Sequence, residues 1–344
     1  MNGLNELPQL AIFSLGGTIA STHNPGSSGS GVTPRLGADE LTAAIPQLQD
    51  VAHLETVAFR QTASGELNFN DLVELAVEIT ARLELGYAGI VITQGTDTIE
   101  ETSFALDLML DTPRPVVVTG AMRNPTLVGP DGPANLLQAA QVAASSQAVG
   151  LGCVVVFNDE IHAARFVSKT NTFSPSTFRS MVTGPLGWIV EGRPRVAFRP
   201  VALPHCTSLK GKDVPPVALV KIALGDDERL IGQIESLGYR GLVVEGFGGG
   251  HVPSRMALAL GELAGKIPVV LASRTGSGSM LRETYGFHGS ERDLLARGLI
   301  SAGFLDGLKS RVLLSLLLAS GADANGVRRG FEQVEATTYS DTSG

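Results

Sequence analysis

Several short apolar runs lack the polar alternation of a strand that faces water on one side. Residues 10–15, 89–93, 115–119 and 153–157 are such runs. Their length and unbroken apolar character predict strands buried on both faces. Between them the period changes. Leu72, Leu75, Ala76, Ile79 and Leu83 recur at helical spacing and form one apolar face. Asp71 and Glu74 would lie at the positive end of that helix's dipole. Strands alternating with helices predict an α/β fold with a mostly parallel sheet covered by helices on both faces.

The pattern lapses between residues 196 and 216, where Pro200, Pro204, Pro215 and Pro216 fall among polar and basic residues. Such a stretch predicts a linker. The alternation then resumes, with strands expected at 242–245 and 267–272 and helices at 255–264 and 309–319. The expected organisation is a larger N-terminal α/β domain over 1–195, a linker over 196–216 and a smaller C-terminal α/β domain over 217–344. Residues 21–31 are rich in Ser and Gly and predict a mobile loop.

Composition narrows the function. With 344 residues, 43% of them hydrophobic, the chain can bury a sizeable core. Only 17% of residues are charged, too few for a disordered chain. The net charge is −8. A nucleic-acid partner would demand a basic stripe, and only small clusters such as Arg193/Arg195 and Arg328/Arg329 occur, which read as solvated faces. No apolar run reaches the roughly eighteen residues of a membrane span, so no membrane partner is expected. Residues 1–9 lack a basic segment leading into an apolar stretch, so no signal peptide and a cytoplasmic location are expected. Cys153 and Cys206 make no disulfide framework and fit a reducing compartment; Cys153 should pack as a small hydrophobe. The histidines at 23, 53, 162, 205, 251 and 288 show no zinc spacing, and no metal or organic cofactor is expected.

Three segments carry candidate chemistry. Ser14-Leu15-Gly16-Gly17-Thr18 places a hydroxyl where a buried strand ends, the end at which open parallel sheets bind ligands. The two glycines permit a sharp turn and close approach of a ligand. Thr18 can be a nucleophile if a base takes its proton; alone, the motif fits a turn threonine capping the next segment better. Thr93-Gln94-Gly95-Thr96-Asp97-Thr98 follows another buried strand. Thr98 and Glu101 have capping-box spacing and predict a helix start. Thr96 and Asp97 then fall beside unpaired helix N–H groups able to hold an oxyanion, although Asp97 could be a cap alone. In Ser168-Lys169-Thr170-Asn171-Thr172, a lysine with little local charge could be desolvated into a base.

Taken together, FSLGGTIA (13–20), VITQGTDTIEET (91–102), VVTGAMR (117–123), DGPANL (131–136), SKTNT (168–172) and GPLGWI (184–189) resemble the bacterial L-asparaginases in motif, order and spacing. The resemblance runs from about residue 10 to residue 331. It implies an amidohydrolase in which Thr18 attacks the side-chain amide of asparagine, ammonia leaves, and water hydrolyses the β-aspartyl ester. It implies that Thr96 and Lys169, with Asp97, form the proton-transfer group, and that backbone N–H groups of Thr18 and Thr96 hold the oxyanion. Ala121 would offer its carbonyl to the departing nitrogen. Ser64 and the Gly65 backbone would take the substrate α-carboxylate, and Asp97 its α-amino group. The partner is then a small amino-acid amide. The resemblance also implies at least a homodimer, with a homotetramer expected, in which a neighbouring subunit completes the site; Glu291 aligns loosely with the carboxylate it contributes. An exposed helix-start glutamate fits Glu291 as well.

Three positions depart from the family pattern. The loop 21–33 carries no tyrosine, where the family has one assisting the nucleophile. Gly65 stands where glutamine is common, and His251 closes a Gly-rich turn that commonly ends in asparagine. Among the four tyrosines, Tyr285 is the candidate to supply the missing hydroxyl, or to pack an interface. Gly65 removes a contact to the α-amino group and favours asparagine over glutamine. The alternatives are a broader glutaminase–asparaginase, an amidotransferase subunit, for which a tRNA-facing region is missing, and a non-catalytic small-molecule sensor, which would not need Thr18, Thr96, Asp97 and Lys169 together.

Overall fold

The computed structural model describes residues 7–17, 19, 21–23, 32–34, 38–207 and 209–338. The chain divides into two compact units, Met1–Ala202 and Leu203–Gly344. The division falls inside the proline-rich stretch of 196–216, which is almost free of regular structure beyond its first residue.

The first unit contains strands β1 (Gln9–Gly16), β2 (Ser21–His23), β3 (Val32–Pro34), β4 (His53–Thr62), β5 (Gly89–Thr93), β6 (Val116–Thr119), β7 (Cys153–Phe157), β8 (Glu160–Ala163), β9 (Val167–Lys169), β10 (Phe178–Ser180), β11 (Gly187–Val190) and β12 (Arg193–Val196). Its helices are α1 (Ala38–Ala43), α2 (Phe69–Glu84), α3 (Ile99–Met109) and α4 (Gly132–Ala143). Eight strands form one sheet in the order β12-β11-β8-β7-β6-β5-β1-β4. From β4 to β7 neighbours are parallel; from β7 to β12 they are antiparallel.

The four apolar runs predicted as buried strands are the centre of this sheet. Every residue of β5, β6 and β7 is buried, as is β1 beyond Gln9. The sequence pattern passed over β4, because its polar residues Glu55, Arg60 and Gln61 interrupt the apolar run. These residues are tolerated because β4 is the edge strand and its residues are only half buried.

Helix α2 shows the physics most directly. Asn68 Oδ1 accepts the N–H groups of Asn70 (2.9 Å) and Asp71 (3.2 Å), and Asp71 Oδ2 accepts the N–H of Asn68 (3.0 Å). This reciprocal capping box starts the helix. Leu72, Leu75, Ala76 and Ile79 are buried, so the predicted apolar face is the packed one. Each fully buried Leu or Ile there contributes about 1.5–3 kcal/mol.

The second unit holds β13 (Val217–Lys221), β14 (Gly241–Gly246), β15 (Val269–Ser273) and β16 (Ile300–Ser301), with α5 (Ser254–Ala264), α6 (Glu291–Ala296), α7 (Gly307–Ala319) and α8 (Ala324–Ala336). The four strands are parallel, in sequential order. The chain is thus a two-domain α/β protein. Among the described residues, no helix is long and apolar enough to cross a membrane.

Candidate active site

Strand β1 ends on Gly16 and Gly17 follows it, both left-handed with φ of 99° and 85°. A Cβ on Gly17 would lie 2.0 Å from the backbone nitrogen of Gly95. Only glycine fits such a contact. The close approach inferred from the glycine pair is therefore made by the protein's own backbone. It brings the turn after β1 against the turn after β5, although the two glycine positions are far apart in sequence. Thr18, the assigned nucleophile, lies outside the described residues, as does most of the Ser/Gly-rich stretch after it.

The turn after β5 runs through Gly95 into a short 3-10 segment, Thr96–Thr98, and then into α3. Thr96 is buried, while Asp97 is largely exposed. Lys169 Nζ donates to Thr96 Oγ1 at 2.8 Å and to Asp97 Oδ1 at 2.6 Å, across 73 and 72 residues of sequence. Three of the residues assigned to proton transfer are therefore one hydrogen-bonded cluster. The lysine differs from the expectation in one respect: it is mostly buried but carries a carboxylate partner, because the fold supplies a charge that its sequence neighbours lack.

Lys169 reaches the turn from a hairpin of two short strands, β9 and β10, where it pairs with Phe178. Phe178 is buried against the ring of Phe157, at 4.9 Å between centroids. The hydroxyls around the lysine close the hairpin. Thr170 Oγ1 donates to the carbonyl of Thr177 (2.8 Å), and Asn171 N–H donates to Thr177 Oγ1 (3.0 Å). Asn171 Oδ1 accepts the N–H groups of Phe173 (3.0 Å) and Ser174 (2.9 Å). His162 joins the hairpin to the main sheet, with Nδ1 3.0 Å from Ser180 Oγ. Burial, and then the charge of Arg179, push the His162 pKa down to about 4.

The capping box expected at Thr98 and Glu101 does not form. Thr98 is the residue before α3, but its hydroxyl makes no cap bond. It accepts from Gln94 Nε2 at 3.2 Å and donates to the carbonyl of Ser64 at 3.1 Å. A tertiary partner has taken the hydroxyl from its local one. Ser64 opens a 3-10 turn after β4 and is buried, its Oγ set against Gly95, where a Cβ would meet it at 2.7 Å. Gly65 is exposed, and a Cβ there would meet open space.

Ala121 is fully buried in the loop after β6. Its neighbour Gly120 abuts the turn: a Cβ there would lie 2.6 Å from the Gln94 carbonyl and 3.4 Å from Thr96 Cγ2. The DGPANL segment clamps this loop. The Asp131 carboxylate accepts the N–H groups of Met122 (3.0 Å) and Arg123 (2.8 Å), and Asn135 Nδ2 donates to the Gly120 carbonyl (3.0 Å). In the sequence, Asp131 and Asn135 stand out only as members of the DGPANL motif, because the groups they bond lie in a separate loop.

In the second unit, Glu291 begins α6 but is fully buried, which overturns the exposed helix-start reading. Its carboxylate accepts the N–H of Tyr285 at 2.6 Å and lies 3.2 Å from His251 Nε2. Burial opposes its ionisation, but backbone N–H groups of Tyr285, Glu291 and Thr284 and the His251 contact outweigh it and hold the carboxyl below the usual glutamate range. Tyr285 is exposed, its ring edge-on to His251 at 4.9 Å.

Comparison with known proteins places the chain in a family. Residues 9–202 match the family described as Asparaginase, N-terminal, and residues 216–331 match the Glutaminase/Asparaginase C-terminal domain. A protein of Deinococcus radiodurans named as a probable L-asparaginase is 37% identical, over 95% of this chain and 98% of its own. L-asparaginase 2 of Escherichia coli is 33% identical over 95% and 93%. A Haemophilus influenzae protein named as a probable periplasmic L-asparaginase is 32% identical over 95% and 93%. The matches span both units, at identities that preserve a fold, and the chain belongs to the asparaginase family.

Proposed function

We propose that the protein is an L-asparaginase that hydrolyses the side-chain amide of asparagine to aspartate and ammonia. The observation that carries this reading is Lys169 Nζ bridging Thr96 Oγ1 and Asp97 Oδ1, in a turn packed on Gly17. Thr18, next in the chain after Gly17, attacks the amide carbonyl. Its proton passes to the Thr96 oxygen as the Thr96 proton moves to Lys169 Nζ, the lysine entering the step as its free amine, and the ammonium so formed is balanced by the Asp97 carboxylate. The tetrahedral oxyanion is held by backbone N–H groups of Thr18 and Thr96. Its collapse breaks the C–N bond, and the departing nitrogen, facing the Ala121 carbonyl, takes up a proton and leaves as ammonia. Water then hydrolyses the β-aspartyl ester and restores Thr18.

Substrate binding follows the same layout. Ser64 and the Gly65 backbone receive the α-carboxylate, and the exposed carboxylate of Asp97 receives the α-amino group. The site is completed in a homodimer or homotetramer, with Tyr285 of the partner subunit supplying the hydroxyl that the loop 21–33 lacks; Glu291 is enclosed by the Tyr285 N–H and His251 of its own chain and acts through them rather than on the substrate. A cytoplasmic location belongs to this reading, which the name of the Haemophilus influenzae relative does not share. A glutaminase–asparaginase is the alternative reading.

Ammonia release from free asparagine and free glutamine tests the two readings together. Asparagine should have the higher kcat/KM; equal values would favour the second reading, and no release from asparagine would reject the first. Thr18→Ala should abolish turnover while the circular dichroism spectrum stays that of the wild type. Comparable rates in both proteins would end the nucleophile assignment. Tyr285→Phe should lower kcat by about 10²-fold or more, as loss of acid–base assistance does; a kcat within twofold of wild type would remove Tyr285 from the scheme.

A further inference from the structure

Gln94 is fully buried at the end of β5 and stands between two acceptors. Its Nε2 lies 3.3 Å from the Gly95 carbonyl and 3.2 Å from Thr98 Oγ1. Rotating the amide would turn its oxygen against that carbonyl, so Nε2 must face both. The Thr98 hydroxyl therefore accepts from Gln94, and its single proton points to the other neighbour, the Ser64 carbonyl at 3.1 Å. The polarity of this chain is fixed from one end to the other. The arrangement has two costs. The Gln94 Oε1 atom is buried with no hydrogen-bond partner, and α3 starts without a side-chain cap. Ser64 is also held from its other side, because its Oγ and Cβ would lie 2.7 and 2.9 Å from a Cβ on Gly95.

We propose that Gln94 and Thr98 form a spacer that sets the distance between the Ser64 turn and Thr96, and that this distance selects a side-chain amide of asparagine length over one longer by a methylene. The proposal rests on the asparaginase reading, in which Ser64 holds the α-carboxylate end of the substrate and Thr96 lies at its amide end. Gln94 and Thr98 touch neither end. They are positioning residues, acting through the carbonyl of Ser64 and the backbone of Gly95. A substrate longer by one methylene would carry its amide beyond the reacting groups whenever its carboxylate is seated. One methylene is worth about 10–200-fold in such discrimination, and the selectivity depends on the Ser64 turn holding still.

Steady-state kinetics with asparagine and glutamine on the full chain tests this. Thr98→Val keeps the shape and removes the hydroxyl, leaving the Ser64 carbonyl only the N–H of Leu67 at 3.3 Å, a bond inside its own turn that ties it to nothing near Thr96. The kcat/KM for asparagine should fall about tenfold, mainly through KM, because misplacement weakens seating before chemistry. The asparagine-to-glutamine ratio of kcat/KM should fall about fivefold or more. Thr98→Ser restores the hydroxyl and should return both quantities to within twofold of wild type. Should Thr98→Val not fold, Gln94→Met carries the same expectation, since the Thr98 proton is then no longer directed at Ser64. A selectivity ratio unchanged in an active Thr98→Val protein would overturn the proposal. So would equal losses on both substrates that Thr98→Ser does not restore. A wild-type protein inactive on asparagine would overturn the functional reading itself, a result distinct from either.

Discussion

Helices α2 and α3 both follow strands of the same sheet, and their first turns are built in opposite ways. At α2, Asn68 and Asp71 satisfy each other's backbone N–H groups within four residues of sequence. At α3, Thr98 occupies the equivalent position, yet its hydroxyl bonds to Gln94 and Ser64 and makes no cap bond. The first turn is complete by local rules. The second gives up a contact worth about 0.5–2 kcal/mol and is held from outside, by Lys169 on the β9–β10 hairpin and by Ser64 behind β4. A helix start free of tertiary partners obeys its local pattern, and one engaged by distant side chains and carbonyls departs from it.

The strongest way to break this comparison is to remove the outside support of the α3 turn. Lys169→Met should lower kcat by about 10²–10⁴-fold, the range for lost proton transfer. Near-normal kcat would make Lys169 a structural residue and reject the proton-transfer scheme.

The hairpin that delivers Lys169 gives a second, smaller effect. His162 Nδ1 meets Ser180 Oγ on β10, Glu160 Oε2 lies 3.3 Å from its Nε2, and its pKa is pushed from an ordinary 6.5 to about 4 by burial and the charge of Arg179. Between those values the unfolded chain binds a proton that the folded chain refuses. Stability from this group is complete above pH 6.5 and is lost as pH falls toward 4. The gap corresponds to roughly 3 kcal/mol. Urea unfolding at several pH values in that window should show the loss in the wild type and a flatter profile in His162→Gln. The same slope in both proteins would refute the assignment.

The smallest effect belongs to α2. Asn68→Ala should cost about 1 kcal/mol of stability, as loss of an N-cap does, with kcat within twofold of wild type. A tenfold loss of kcat without loss of stability would mean that the α2 turn also carries chemistry, and the contrast between the two helix starts would fail.

The sequence by itself determined the two-unit α/β architecture, the four buried strands of the sheet centre and the apolar face of α2, and it marked Thr96, Asp97 and Lys169, which the fold brings together, as candidates. These are legible because burial on both faces writes unbroken apolar runs, and because a helix repeats its face at a fixed period. Tertiary structure alone decided the rest. It gave Lys169 a carboxylate partner 72 residues away. It redirected Thr98 from a cap to Ser64, and it showed that the Gly17 turn is narrow because Gly95 presses against it. It buried Glu291 among N–H groups and a histidine, where the local pattern fits an exposed helix start equally well. It enlisted Asp131 and Asn135 to clamp the Ala121 loop. Each of these depends on a hydrogen-bond partner distant in sequence or on a backbone contact, and neither leaves a period in the chain. A hydroxyl or carboxylate near a helix start has the same local signature whether it caps that helix or reaches across the fold, and only packing chooses between them.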